Sequence, residues 1–341
     1  MIVLTGPTAV GKTRLSIALA KAVGGEILSA DSMQVYRHMD IGSAKATWEE
    51  MQGVPHHMID ILEPWEPFSA ALFQEYGKRI AGEIHSRGHI PIVTGGTGFY
   101  IQALLRDIDF SGGQAGSEGE KKEQAEKSGD GKETIREEGL EQEKETVRER
   151  LERLAREKGP LYLHELLRQA DPASAEAIHA NNIKRTIRAL VFYEQTGQRI
   201  SEHNEREKQK ESAYRSCYFV LNEERDRLYA RIERRVDEML AAGLVDEVRA
   251  LRGMGCDRSM ISMQGLGYKE ILAWLEGEYS YEEAVEILKR DTRRFAKRQL
   301  TWFRRERDVI WVNKSEFDYD EGKMLDFMLD RLRERGVVPP A

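Results

Sequence analysis

The sequence predicts an α/β fold: a parallel sheet flanked by helices, with an all-helical subdomain inserted into it. Short apolar runs typical of strands alternate with helical patterns over the first hundred residues. Two more such runs follow much later, CYFVL at 217–221 and VIWV at 309–312. Between the two groups lies a series of helical patterns alone. The alternation predicts a parallel, doubly wound sheet, and the helical series predicts the insertion.

The first strands follow directly from the residue pattern. They are IVLTG after Met1, EILSA before Asp31 and IPIVTGG before Thr97. Helical patterns cover 14–23 and 70–87, and later 227–242 and 281–305. The predicted core therefore consists of residues 1–110 and 201–341.

The predicted insertion covers residues 111–200. It opens with a stretch rich in Gly, Glu and Lys, 111–145, which has too few apolar residues to bury a face and is expected to be flexible. The helical patterns that follow are 147–157, 161–169, 171–179 and 183–196, the last of which ends at Gly197. Together they predict a small helical subdomain.

The composition indicates a globular protein with a sizeable core, since 40% of the 341 residues are hydrophobic and 33% are charged. No apolar run approaches the roughly 18 residues of a membrane span, and the first predicted strand begins at once, without a signal-peptide pattern. We therefore expect a cytoplasmic protein with no membrane segment, and a monomer is the expected assembly. Cys217 and Cys256 form neither a disulfide framework nor a metal-ligand cluster.

The stretch GPTAVGKT, at residues 6–13, follows the first strand-like run and precedes a helical pattern. This is the P-loop motif in its usual context, and it predicts a P-loop NTPase-like sheet. Lys12 would reach the outer phosphates of a ligand, and the Thr13 hydroxyl would bind Mg²⁺. ATP, GTP or any diphosphate ester would fit such a loop. The predicted phosphate-binding residues are Gly6, Thr8, Ala9, Val10, Gly11, Lys12 and Thr13.

Two polar residues follow predicted strands at the edge of the sheet where the P-loop lies. Asp31, after EILSA, is a candidate magnesium-binding carboxylate, general base or helix N-cap. Thr97, after IPIVTGG, is a turn residue or a hydroxyl that contacts substrate. The pair His56 and His57 is not predicted to bind a metal, because adjacent residues of an extended segment point to opposite faces and no third ligand is nearby.

The net charge of −7 is distributed unevenly. The stretch 111–145 has a balance of −5, whereas 289–307 carries nine basic and two acidic residues, a balance of +7. Few compensating acids make such a segment self-repelling, so a polyanionic ligand is favoured over a merely solvated face. A second arginine-rich helix starts near Arg225, and its Arg231 is a candidate phosphate contact. Four basic residues of the first segment fall on one helical stripe: Arg290, Arg294, Lys297 and Arg304.

The motifs taken together resemble those of the tRNA dimethylallyltransferases, also called tRNA isopentenyltransferases. Their combination is far more specific than the P-loop alone. The acidic stretch from about Gly112 to Glu143 is longer than the connection usual in that family. In chain order the motifs are GPTAVGKT, DSMQVYRHMDIGSAK, GVPHHMIDI, GGTGFYIQALL, VRERLE, NNIKRTIRAL, GLVDEV, QGLGYKE and TRRFAKRQLTWFRR.

The resemblance implies an enzyme that transfers the dimethylallyl group from dimethylallyl diphosphate to N6 of the adenine 3′-adjacent to the anticodon in tRNA, releasing diphosphate. Asp31 would act as the base, because the N6 amine is a poor nucleophile. Lys12, Arg231, and Thr13 with Mg²⁺ would stabilise the departing diphosphate. Thr97 matches the family's hydroxyl position near the target adenine, which must leave the anticodon-loop stack.

The resemblance also implies a tRNA surface that extends from the helical insertion to the basic C-terminal helix. Stacking of unpaired bases beside phosphate contacts is typical of such recognition, and Tyr268 and Trp302 would supply the aromatic rings. The expected tRNA contacts are Asp31, Ser32, Met33, Gln34, Thr97, Arg148, Lys184, Arg185, Arg188, Gln264, Tyr268, Lys269, Lys297, Arg298, Gln299, Trp302 and Arg304.

Three alternative functions are compatible with parts of the sequence. A P-loop kinase of a small-molecule or nucleoside acceptor would use Asp31 as the base for a hydroxyl, but it would not need the basic helix. A second alternative transfers the same prenyl group to a free adenine nucleotide. A nucleotide-gated RNA-binding adaptor would keep the basic helix and tolerate the loss of Asp31.

Overall fold

The computed structural model describes residues 1–110 and 145–339. The acidic stretch 111–145, predicted to be flexible, lies outside the described residues except for Glu145. The chain divides into two compact units. The first consists of Met1–Asp107 and Ser212–Ala341, and the second of Ile108–Glu211.

The first unit is built on a six-stranded sheet in the order β3-β2-β4-β1-β5-β6, in which every neighbouring pair is parallel. The predicted α/β fold with a parallel sheet is thus confirmed. The short strand β3 at the edge of the sheet pairs only with β2 and was not predicted as a strand. The strands are β1 Ile2–Thr5, β2 Gly25–Ser29, β3 His56–His57, β4 Ile90–Gly95, β5 Cys217–Asn222 and β6 Val309–Asn313.

Strand β1 lies at the centre of the sheet and shows how the core is divided. Side chains alternate between the two faces of a strand, so Ile2 and Leu4 pack into one apolar cluster and Val3 packs into another. Helices cover both faces, which explains why all four residues of β1 are buried and why the strand is apolar throughout.

The helices agree with the predicted ones to within two residues at each end wherever bounds were predicted. Capping residues account for several starts: Thr146 and Ser280 each form a capping box with a glutamate three residues later. None of the helices among the described residues is long and apolar enough to cross a membrane. In chain order they are α1 Lys12–Val23, α2 Trp48–Met51, α3 Ala70–Ser86, α4 Gly98–Arg106, α5 Val147–Lys158, α6 Pro160–Ala170, α7 Pro172–Ala177, α8 Ile183–Thr196, α9 Ile200–Gln209, α10 Arg225–Ala241, α11 Leu244–Gly253, α12 Tyr268–Leu275, α13 Tyr281–Phe303 and α14 Glu321–Glu334.

The second unit contains α5 to α9 around a small apolar cluster that includes Leu151, Leu163 and Leu190. Its boundary lies at Glu211 rather than at the predicted residue 200, so that α9 belongs to the helical unit and not to the core. The reason is a long-range contact: the Ser201 hydroxyl and backbone N–H both donate to the buried carboxylate of Asp171, at 2.6 and 2.9 Å. Local sequence gives no sign of this attachment.

Candidate active site

The carboxyl ends of the parallel strands meet at one edge of the sheet, which is where ligands bind in open α/β folds. The loop Gly6–Thr13 leaves β1 at this edge, between the ends of β4 and β5. Asp31 follows β2 and Thr97 follows β4. Two further charged residues lie at the same edge: Glu223 follows β5, and Lys314 follows β6.

The backbone of the loop Gly6–Thr13 requires glycine at two points. A side chain at Gly6 would place Cβ 2.4 Å from the backbone oxygen of Leu221, so none fits there. Gly11 has a φ of 101° and caps α1, which begins at Lys12. The first N–H groups of α1 lack helical partners and carry the positive end of the helix dipole, so the loop ends in an anion-binding position.

The carbonyl groups of the same loop are held by three cationic side chains. Carbonyls turned toward cations allow N–H groups of the loop to face an anion, although the N–H of Thr8 donates to Gln299 Oε1 at 2.9 Å and that of Val10 to the carbonyl of Pro7 at 3.4 Å. The loop is therefore organised for a phosphate-bearing ligand on its N–H side. The hydrogen bonds run from Lys12 Nζ to the carbonyls of Gly6 (3.0 Å) and Pro7 (2.8 Å), from Arg231 Nε to that of Ala9 (2.8 Å), and from Lys314 Nζ to that of Val10 (3.3 Å).

Two basic residues at the loop were not predicted as site residues. Lys314 is only 8% exposed and forms an ion pair with the equally buried Glu223 at 3.1 Å. Arg235 forms no hydrogen bond or ion pair with any described residue, and burial, together with nearby Arg231, lowers its pKa. The arginine-rich start of α10 hinted at Arg235, but nothing near Lys314 in sequence marks it as a neighbour of the P-loop.

Asp31 and Thr97 lie side by side because their strands, β2 and β4, are neighbours. The backbone N–H of Thr97 donates to the carbonyl of Ala30 at 3.2 Å, next to Asp31 in the chain. The hydroxyl of Thr97 forms no hydrogen bond with the described residues. Asp31 begins no helix, so the predicted N-cap role is wrong; its carboxylate accepts the Met33 N–H at 2.8 Å in a turn.

The pKa values of Asp31 and Lys12 are both shifted, and the two groups interact electrostatically. Burial raises the pKa of Asp31, although the Met33 N–H and nearby Lys12 oppose this shift. Burial lowers the pKa of Lys12 to about 7, and nearby Arg235 acts in the same direction while Asp31 opposes it. Each group therefore stabilises the charged form of the other. Shifted pKa values of this kind are concentrated at functional sites.

The predicted tRNA contacts fall into exposed and internal groups. The internal group includes Tyr268, which is fully buried and donates its hydroxyl to Glu247 at 2.7 Å, and Gln299, which is 5% exposed. Both side chains are buried in this structure, and the stacking of a base on Tyr268 stays a prediction. The amide of Gln34 is also engaged, since its oxygen accepts the Ser29 hydroxyl at 2.8 Å. The exposed basic residues are Lys297, Arg298 and Arg304 on or at the end of α13 and, in the second unit, Arg148, Lys184, Arg185 and Arg188.

The remaining predicted contacts lie close to Asp31 or to the end of β4. Met33 packs against Gly265, which brings the turn after Asp31 to the segment between Gln264 and the start of α12, where Lys269 lies. Trp302 packs against Gly98, directly after Thr97. Gln264 is exposed, whereas Lys269 and Trp302 are partly buried. Ser32 is likewise partly buried in the turn that follows Asp31.

The basic residues of α13 differ along the helix. In its first half they are paired with acids: Lys289 with Asp237 at 2.7 Å and Arg293 with Glu233 at 2.6 Å, both across to α10. The exposed Lys297, Arg298 and Arg304 form no ion pair with the described residues. The charge left for an external anion is therefore concentrated at the C-terminal end of α13.

The fold and this loop together define a P-loop α/β protein. A family model described as IPP transferase matches residues 34–306, and one described as isopentenyl transferase matches residues 1–61. The chain belongs to the IPP transferase family, that of the tRNA dimethylallyltransferases, and the family resemblance of its motifs is thereby confirmed.

Individual relatives agree with this assignment over nearly the whole chain. The tRNA dimethylallyltransferase of Lachnoclostridium phytofermentans is 52% identical over 99% of both chains, and that of Acetivibrio thermocellus is 48% identical over 94% of both. The solved tRNA isopentenylpyrophosphate transferase of Bacillus halodurans is 41% identical, covers 98% of this chain and 97% of its own, and has a TM-score of 0.67. A eukaryotic dimethylallyltransferase, solved acting on tRNA, is 27% identical over 92% of this chain and 73% of its own, with a TM-score of 0.71.

Proposed function

We propose that the chain transfers the dimethylallyl group of dimethylallyl diphosphate to N6 of the adenine 3′-adjacent to the anticodon in tRNA, releasing diphosphate. One observation carries the proposal: the loop Gly6–Thr13, which contains Lys12 and accepts a hydrogen bond from Arg231, lies at the same sheet edge as Asp31 and Thr97. An anion-binding loop and a partly buried carboxylate at one edge would support the departure of diphosphate and the removal of a proton.

In the proposed reaction the N6 nitrogen attacks the allylic carbon, the carbon–oxygen bond to diphosphate breaks, and Asp31 takes the N6 proton. The raised pKa of Asp31 makes it a stronger base than an exposed aspartate. Negative charge grows on the leaving diphosphate at the same time. Lys12 and Arg231, which lie at the loop, and the N–H groups at the start of α1 would stabilise that charge.

We propose that Mg²⁺ binds together with the diphosphate and not at a site formed by protein ligands alone. Among the described residues, no three His, Cys, Asp or Glu side chains gather to hold a metal ion. The hydroxyl of Thr13, in the first turn of α1, is the protein ligand that we propose, and phosphate oxygens and water would supply the others. The ion would neutralise charge on the leaving group.

Prenyl transfer measured side by side on tRNA, on AMP and without acceptor tests the proposal. We expect product with tRNA only, since the exposed basic residues at the end of α13 have no use with a small acceptor. Product with AMP would favour the free-nucleotide alternative. Phosphate transfer from ATP without prenyl transfer would replace the proposal by the kinase.

Replacing Asp31 tests the role of the base. Asp31→Asn keeps the size of the side chain, so diphosphate and tRNA should bind nearly as in the parent, while turnover falls by roughly 10² or more. Single-turnover rates at saturating tRNA, together with separate binding titrations, provide the measurement. Turnover close to that of the parent would remove Asp31 from the mechanism.

A further inference from the structure

Gln299 connects three parts of the site through its side-chain amide. It lies on α13 with its side chain turned into the protein. Its Oε1 accepts the backbone N–H of Thr8, in the phosphate-binding loop, at 2.9 Å. Its Nε2 donates to the carbonyl of Gly96, next to Thr97, at 3.0 Å. One neutral amide thus satisfies a donor on one loop and an acceptor on the other, which no charged side chain of this length can do.

The contacts on both sides of this bridge are tight. A Cβ at Gly96 would lie 2.2 Å from Gln299 Nε2, so the loop that carries Thr97 approaches the amide as closely as a backbone can. One turn further along α13, Trp302 packs against Gly98 and places its ring 6.2 Å from that of Phe99. The loop Gly95–Gly98 is therefore held against α13 at two successive turns.

The opposite face of α13 carries the exposed Lys297 and Arg298. Successive side chains on a helix are about 100° apart, so Gln299 faces the core while Arg298 and Lys297, one and two residues before it, face solvent. Gln299 therefore lies within the basic motif TRRFAKRQLTWFRR but is not part of the basic surface.

We propose that Gln299 is a positioning residue for prenyl transfer and not a contact to tRNA. It fixes the spacing between the loop Gly6–Thr13, which holds the leaving diphosphate, and the loop Gly95–Gly98, whose Thr97 faces the acceptor. Reacting groups must lie about 3–3.5 Å apart, and a displacement of about 1 Å lowers rates on the order of 10²-fold. This inference rests on the proposed function.

Two variants and one control test the inference. Gln299→Met keeps a long unbranched side chain but forms neither hydrogen bond, and Gln299→Asn keeps the amide but is too short to reach both partners. Thr292→Val is the control, because Thr292 is similarly buried on the same helix and bonds only within it, to the carbonyl of Leu288. The measurements are kcat, the KM of each substrate, separate affinities for inorganic diphosphate and for tRNA, and the midpoint of thermal unfolding.

We expect kcat to fall about 30-fold or more in both Gln299 variants, while both affinities stay within about three-fold of the parent. Thr292→Val should keep the kcat of the parent. A weaker affinity for tRNA at unchanged kcat would make Gln299 a tRNA contact and overturn the inference. A lower unfolding midpoint at unchanged kcat per folded molecule would make it a structural residue only, with the same result.

The parent enzyme separates this inference from the proposal on which it rests. If the parent shows no prenyl transfer to tRNA, the proposed function fails before any variant is compared. If the parent is active and Gln299→Met and Gln299→Asn both retain its kcat, the positioning role alone fails. If Gln299→Met does not fold, Gln299→Asn, which removes less apolar contact and keeps the polar group, still decides between the outcomes.

Discussion

Lys12 links the pH of the medium to the binding of diphosphate. Its pKa of about 7 in the free protein means that it is partly neutral near physiological pH. Bound diphosphate favours the charged form of Lys12. At a pH above the pKa of Lys12, binding of diphosphate is therefore coupled to the uptake of a proton. The association constant for inorganic diphosphate should therefore fall as pH rises from about 7, by at most about ten-fold per unit.

Lys12→Arg is the matched control, because arginine stays charged over this range. The ratio of the parent's association constant to that of the variant removes the ionisation of diphosphate itself. Calorimetric titrations from pH 6 to 9 should show this ratio falling with pH. A ratio that is constant across the range would mean that Lys12 does not titrate there.

Lys314 is expected to support the phosphate-binding loop from the side of β6. Lys314→Met removes the hydrogen bond to the carbonyl of Val10 and leaves Glu223 as an uncompensated buried charge near the loop. The affinity for inorganic diphosphate should fall about ten-fold, with little change in the affinity for tRNA. Equilibrium titration of both ligands provides the measurement.

The double variant Lys314→Met with Glu223→Gln separates charge from position. It removes both charges, so any loss that remains reflects the missing support of Val10. We expect the affinity for diphosphate to stay several-fold below that of the parent. Full recovery in the double variant would show that the ion pair has no part in shaping the loop.

Helix α13 is the element on which the tRNA interaction is expected to depend. Replacing Lys297, Arg298 and Arg304 by alanine removes three exposed cations that pair with no acid among the described residues. The logarithm of the tRNA association constant should fall with log salt by about 0.7 to 0.9 per phosphate neutralised, and the variant should show a shallower slope. The affinity for inorganic diphosphate should hardly change.

A control with the same loss of charge is available on α14. Lys323, Arg331 and Arg333 are exposed and paired with acids on the same surface, so their replacement by alanine should leave the slope unchanged. Labelled tRNA titrated at several salt concentrations compares the three proteins. Equal slopes in the parent and the α13 variant would exclude these three residues as phosphate contacts.

The elements that could be predicted are those whose signal is local. The P-loop, strands β1, β2 and β4, and the capped helices each follow from fewer than about twenty neighbouring residues. The contacts that complete the site are long-range: Gln299 reaches Thr8 across 291 positions, and Lys314 reaches Val10 across 304. A side chain's partner at that separation depends on the packing of the whole sheet, so nothing in the local sequence showed that Gln299 and Tyr268, which the family resemblance placed among the tRNA contacts, are buried.

At the scale of the whole molecule, Glu26 on β2 binds side chains from the segment before β4 and from β3, near the amino end of the sheet. It is 3% exposed, and its carboxylate pairs with Arg87 at 2.7 Å, with His57 at 2.7 Å and with His89 at 2.7 Å. The hydrogen bond from Arg87, ahead of those from the two histidines, lowers the pKa of Glu26 to about 2, although burial opposes this. A lowered pKa contributes stability above the unfolded value, which is lost as pH falls toward about 2.

Glu26→Gln should lower the free energy of unfolding at pH 7 by about 1–3 kcal/mol, because a charged acceptor of several hydrogen bonds is replaced by a neutral one. The difference from the parent should shrink as pH falls from about 4.5 toward 2. Urea unfolding at a series of pH values measures both, and Glu334→Gln, in an exposed pair, is the control. A difference that is independent of pH would contradict the assignment.

The two strands that pair with β1 are synthesised at very different times. Its partner β4 ends at Gly95, but its other partner, β5, begins only at Cys217, after the helical unit has been made. The backbone hydrogen bond from Ala213 to the carbonyl of Leu105, at 2.7 Å, brings the ends of that excursion together. Once α5 to α9 have folded, less flexible chain has to close between Leu105 and Ala213, which lowers the entropic barrier to pairing β5 with β1. Until then the apolar edge of β1 is unpaired, and this interval is when the nascent chain is most prone to aggregate.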